Sequence, residues 1–134
     1  MGLIVILYDE IVRSMRRAQQ ASLEDNVEER TRAVNHALQV IAHLQATLNF
    51  EQGGEVAKNL SHFYNLARTK ILDANLTKNS KALEELVREF LQVAAAWQEL
   101  DRRANQMSHA GAGAPAAGAL QPLANALDAA AAER

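Results

Sequence analysis

Apolar residues recur along this chain every three or four positions, in four stretches separated by short polar or glycine-bearing breaks. That spacing is the period of one helix face, and it leaves few folds open. The clearest case is the second stretch, where Val27, Val34, Ile41 and Leu48 stand seven apart and Leu38, Leu44, Ala33 and Ala37 fill the same stripe. Glu28, Glu29, Arg30 and Arg32 lie mostly off it, so the pattern predicts an amphipathic helix over residues 27–48. The same reading predicts a helix over 55–76 from Val56, Leu60, Phe63, Ala67, Ile71 and Ala74, with Tyr64 beside them. Leu83, Leu86, Val87, Phe90, Val93, Ala94, Trp97 and Leu100 predict another over 81–105. The first stretch, 3–21, carries Ile4, Leu7, Tyr8, Ile11, Met15 and Ala18 on one stripe and Leu3, Val5, Ile6 and Val12 on a second row. A helix apolar around so much of its circumference is either buried on two sides or leaves a face open for a partner. Its start at Met1-Gly2 offers no Ser, Thr, Asp or Asn cap.

Four amphipathic helices of similar length with short connections give an antiparallel, up-down-up-down four-helix bundle. Composition agrees: 49% of the 134 residues are hydrophobic but only 4% aromatic, so Ala, Leu, Val and Ile carry the core. Each fully buried Leu, Ile or Phe stabilises by about 1.5–3 kcal/mol relative to exposure. The bundle is expected to span residues 1–107. From 108 the character changes. Residues 110–118 are Ala and Gly with Pro115, the composition of a flexible linker, and beyond them Leu120, Leu123, Leu127 and Ala131 return at helical spacing. For this tail, 108–134, two readings stand: a short amphipathic helix that is marginal alone in water, and a frayed end without function.

Several function classes are excluded or weakened. Without cysteine there is no disulfide, thiolate ligand or thiol nucleophile. A net charge of −2 with both signs interspersed lacks the basic footprint of a nucleic-acid binder. The longest apolar run, Leu3 to Tyr8, ends at Asp9-Glu10, too short for membrane insertion and without the basic lead of a signal peptide. Met1-Gly2 is not followed by a myristoylation motif, because Ile6 stands where Ser or Thr is needed. A soluble protein of a reducing compartment is expected.

No constellation carries catalysis. His36 and His43 share a helix face but stand two turns apart, whereas ligand pairs on a helix sit three or four apart, so solvent-facing or rim histidines are expected and no metal. Ser14, Ser22, Ser61, Ser80 and Ser108 fall on helix surfaces or turns. Gly53-Gly54 lacks the Lys-Ser or Lys-Thr of a P-loop. Asp9-Glu10 and Glu84-Glu85 are adjacent pairs that diverge around their helices and cannot act as a converging acid and base. Phe63, Phe90 and Trp97 read as core. Tyr8 and Tyr64 are expected at a core edge or groove rim, because each hydroxyl needs a partner. The residues predict neither an enzyme nor a cofactor, but a protein that binds another polypeptide.

The run Leu3-Ile4-Val5-Ile6-Leu7-Tyr8-Asp9, then Leu48 to Glu51, Gly53-Gly54-Glu55-Val56-Ala57-Lys58-Asn59-Leu60, Phe63-Tyr64, Ala74-Asn75 and Ala96-Trp97 resembles the flagellin-specific export chaperone FliS family over residues 3–102. The Leu-Tyr-Asp start and the Gly-Gly-Glu turn are the most specific of these motifs. The resemblance implies a cytoplasmic helical bundle that holds the C-terminal segment of flagellin, which is disordered alone and becomes helical as it wraps the bundle. It further implies that premature polymerisation is prevented and that the complex docks on a component of the flagellar type III export gate.

Members normally carry an N-terminal arm before the Leu-Tyr-Asp helix that covers the flagellin groove. No such arm precedes Leu3 here, so an exposed apolar side on helix one and self-association through it are expected, with Leu120, Leu123 and Leu127 as a substitute cover. On the resemblance, the flagellin-binding residues are Ile4, Leu7, Tyr8, Ile11 and Tyr64; the alternative places all five in the ordinary core. A generic helical adaptor for another partner helix is the competing function.

Overall fold

Two of the bundle's three tight turns are built the same way, and the sequence around each explains why the chain reverses there. Asp25 and Lys78 adopt positive φ, 53° and 57°, and the residue after each, Asn26 or Asn79, donates its N–H back to the carbonyl of Ala21 or Ala74. This six-residue closure satisfies the carbonyls left open at a helix C-terminus. The same asparagines then begin the next helix. Asn26 Oδ1 accepts from the Glu29 N–H and Asn79 Oδ1 from the Ala82 N–H, each at 3.1 Å, satisfying one of the free donors of a helix N-terminus. One residue thus ends one helix and caps the next.

The turn before the third long helix uses two glycines for two different reasons. Gly54 has φ 52° and ψ −126°, a region closed to residues with a Cβ. Gly53 instead lies against the following turn: a Cβ there would stand 2.8 Å from the Cβ of Ala57.

The computed structural model describes residues 2–109 and 121–132, which form α1 (Gly2–Leu23), α2 (Val27–Ala46), α3 (Phe50–Thr77, kinked at Gly54), α4 (Ser80–His109) and α5 (Gln121–Ala132). The four expected helices are present with boundaries shifted by a few residues. The largest shift is a helical turn from Phe50 that precedes the glycines, where sequence periodicity puts the helix start at Glu55. The linker expected over 110–118, and Leu120, lie outside the described residues.

α1 packs between α2 and α4, and α3 closes the ring against α2 and α4, so the four long helices enclose one core. Tyr8, Ile11, Met15, Ile41, Phe63, Tyr64, Ile71, Leu86, Val87 and Phe90 are its largest fully buried apolar side chains. Polar contacts fix the seams. Gln45 on α2 donates to Asn65 Oδ1 on α3 at 2.8 Å and accepts from Arg68 at 3.0 Å. Gln19 on α1 donates to the Ser80 carbonyl at the start of α4. Lys70 on α3 pairs with buried Glu89 on α4 at 3.7 Å.

Two side chains and the tail lie elsewhere than expected. Arg30, placed off the apolar stripe of α2, is buried, and its Nε donates to Asn75 Oδ1 at 3.0 Å; an arginine stem covers apolar surface while its head finds a partner. Asn75, a residue of the Ala74-Asn75 motif, thereby ties α2 to α3. Ser14, expected on a helix surface, is fully buried, because the apolar stripe of α1 is wide enough to include it between Ile11 and Ala18. Its hydroxyl has no hydrogen-bond partner among the described residues. A buried hydroxyl without a partner costs about 1–3 kcal/mol. Ser14→Ala is therefore expected to raise unfolding free energy by about 1 kcal/mol in urea denaturation; a loss of stability would show that the hydroxyl is satisfied.

The third departure is the tail. α5 is seated on α4 and α3, not laid over α1 as the expected cover for helix one. Leu123 and Ala130 are fully buried and Leu127 nearly so.

Candidate partner-binding surface

The five residues singled out in the sequence divide by depth. Ile4 and Leu7 are half-buried and rest against the core from the first two turns of α1. Tyr8, Ile11 and Tyr64 are fully buried. The tyrosines are not at a groove rim. Their hydroxyls lie 2.6 Å apart, one donating and the other accepting, so each supplies the partner that would otherwise have required an exit to solvent. Tyr8 meets Phe90 edge-on at 5.5 Å between ring centres, and Phe90 meets Phe63 at 5.0 Å. This aromatic cluster fixes α1 to α3 and α4. Trp97 packs against the core with its indole N–H buried near the Tyr8 hydroxyl.

Burial pushes the Tyr8 hydroxyl up to about 12, with the hydrogen bond to Tyr64 and then the nearby Trp97 indole N–H offsetting part of the rise. Tyr64 is also pushed well above the ordinary tyrosine range, first by burial and then by its neighbour Tyr8. These are the only two tyrosines in the chain. A group whose pKa is raised on folding contributes stability that is intact below its unfolded pKa, about 10, and lost as pH rises through the folded value. Phenolate absorbance is therefore expected to stay silent past pH 10 and then to rise together with the loss of helical circular dichroism near pH 12. Half of the phenolate signal appearing at pH 10 in folded protein would contradict the buried pair.

The surface left by α1 differs in character from its buried side. Leu3 is 64% and Ile6 60% exposed, beside half-buried Ile4, Val5 and Leu7. These five residues form an apolar strip over the first turns of α1, more than the core consumes. Antiparallel topology brings Phe50, at the start of α3 and half exposed, to the same end of the bundle. Leu3 and Ile6 were not among the predicted site residues, although the signal was present: an apolar run without a polar face must leave some of its members outward. Further along α1 the outward face is charged, with Arg13 paired to Asp9 and Glu10, and Glu10 Oε2 accepting from His36 Nε2 on α2 at 3.0 Å. The His36 hydrogen bond, then the neighbouring positive charges, hold the Glu10 carboxyl below the usual range.

Among the described residues no cluster of His, Asp or Glu converges to hold a metal, and no helix is long and apolar enough to cross a membrane. The surface offers apolar contact to another chain.

The sequence matches the family described as "Flagellar protein FliS" over residues 1–104, which covers α1 to α3 and most of α4. The chain belongs to the FliS family. It is 32% identical over 104 residues to the flagellar secretion chaperone FliS of Salmonella typhimurium, a match covering 77% of each chain. It is 33% identical over 98 residues to the flagellar secretion chaperone FliS of Campylobacter jejuni, covering 73% of this chain and 77% of the relative. The FliS of Escherichia coli is 26% identical over 98 residues, with 72% of each chain covered. FliS proteins are chaperones, not enzymes. The FliS-matching region therefore contains both the buried tyrosine pair and the apolar strip of α1, and it stops short of α5.

Proposed function

We propose that this chain is a cytoplasmic export chaperone that binds the disordered C-terminal segment of flagellin, prevents its premature polymerisation and delivers it to the flagellar type III export apparatus. The observation that carries the reading is the apolar strip of α1 in a chain of the FliS family. Leu3 and Ile6 remain outside a bundle whose core is already filled. A segment that folds on binding must offset its ordering entropy with apolar contact, and a strip of this kind supplies it. In this reading Ile4 and Leu7 contact the segment, while Tyr8, Ile11 and Tyr64 form the layer beneath that holds α1 in position. With flagellin absent, the same strip favours self-association.

The test is titration of the chain with the cognate flagellin C-terminal peptide, followed by calorimetry and circular dichroism. Binding with a gain of helicity beyond the sum of the components is expected. Leu3→Asp combined with Ile6→Asp, both at exposed positions, is expected to weaken binding about tenfold or more, each tenfold being about 1.4 kcal/mol, without loss of bundle helicity. Unchanged affinity in this variant would remove the strip from the binding surface, and absence of any binding would overturn the reading.

A further inference from the structure

The fifth helix is short, yet its inner stripe is fully seated. Leu123 and Ala130 are 0% exposed and Leu127 is 7%. They stand four and three residues apart, which puts them on one stripe, while Asn125 and Asp128 face outward. A helix of 12 residues is marginal by itself in water, so α5 exists because its stripe is seated. Its seat is the groove between α3 and α4, which pack on each other less than any other neighbouring pair of the four long helices. The family match ends at residue 104, before α5 begins, so α5 lies outside the matched region. Because α5 is tethered to α4 through residues 110–120, two leucines and an alanine suffice to seat it at the high effective concentration of an intramolecular partner.

We propose that the α3/α4 groove is a seat for an apolar helix of the partner polypeptide, and that α5 holds this seat in the free protein and vacates it on binding. The inference rests on the function proposed above, with the partner being a flagellin segment that becomes helical. What the seat accepts is written in α5 itself: large aliphatic side chains at positions i and i+4, a small one at i+7, and no charge on the seated face. The small position is set by Ala130, which is fully buried, so a bulky side chain there would have to displace its neighbours. A site occupied nine-tenths of the time by its own plug binds an external helix about tenfold more weakly than the open site.

The experiment compares the full-length chain with two full-length variants, Leu123→Asp with Leu127→Asp, and Ala130→Trp, which unseat α5 by charge and by bulk respectively. The probes are the cognate flagellin C-terminal peptide and a labelled peptide of residues 119–134. Both variants are expected to bind the flagellin peptide about tenfold tighter than the unaltered chain, in line with the occupancy above. The 119–134 peptide is expected to bind the variants and to be displaced by the flagellin peptide. A control needs no variant: in the unaltered chain, hydrogen-exchange protection of the α5 amides is expected to fall when flagellin peptide is added, and unchanged protection at saturating peptide overturns the proposal even where a variant folds poorly. Equal flagellin affinity in all three chains makes α5 a structural brace and overturns the inference alone. Absence of flagellin binding in every form overturns the proposed function, and the inference with it.

Discussion

Phe90→Ala is expected to cost about 3–5 kcal/mol, the range for removing a buried phenylalanine side chain. Phe90 is fully buried at mid-α4 and touches the rings of both Tyr8 on α1 and Phe63 on α3. Its loss opens a cavity at the one place where three long helices meet through aromatic contacts, and rigid helices on either side limit how far the site can collapse. Aromatic pairs add about 0.5–1.5 kcal/mol beyond area burial, so the loss is expected toward the upper end of that range. Against a typical total of about 5–15 kcal/mol, a loss of about 5 kcal/mol removes at least about a third of the stability. Urea denaturation followed by circular dichroism measures the difference; a loss under about 1.5 kcal/mol, the scale of a tolerated volume-conserving swap, would mean that neighbouring side chains fill the space.

The second large effect is non-additive. Tyr8→Phe or Tyr64→Phe removes one hydroxyl of a pair 2.6 Å apart and leaves the other buried without its mate. Each single change is expected to cost about 1–3 kcal/mol. The double change to Phe leaves no orphaned tyrosine hydroxyl, so its cost is expected to fall well short of the sum of the singles. A double-mutant cycle in urea, with coupling of about 1 kcal/mol or more, would confirm the pairing. Additive costs would mean that each hydroxyl has an independent partner.

How much of this was legible beforehand can be argued from these residues. The seven-residue spacing of Val27, Val34 and Ile41 and the stripe through Leu83, Phe90 and Trp97 identify helices because burial on one face requires that period. Gly53 and Gly54 mark a turn for reasons that act within a few residues, a Cβ clash with Ala57 and a positive φ. Asn26 and Asn79 as caps are equally local. The tyrosines were not legible in the same way. A hydroxyl alone predicts an exit to solvent, and nothing in a linear sequence places residue 64 opposite residue 8. Arg30 and Asn75 were separated by the same difficulty, since each has its partner on another helix. Ser14 sits at an angle on α1 that is core or surface depending on how many helices flank it.

The apolar run of α1 illustrates the division most clearly. Local chemistry determined that residues 3–8 are helical and carry more apolar surface than one interface can cover. Only the packing of α2 and α4 on either side decided that Tyr8 and Ile11 go in and that Leu3 and Ile6 stay out. The tail follows the same rule. Leu123 and Leu127 announce an amphipathic helix by their spacing, but periodicity carries no address. The address came from α3 and α4, whose looser contact left a groove that a two-leucine stripe fits. Sequence by itself determined four long helices and their turns, because those depend on interactions within a few residues. Which faces pair, which polar groups satisfy one another and where the fifth helix lies depend on interactions between residues distant along the chain, and the tertiary structure alone decided them.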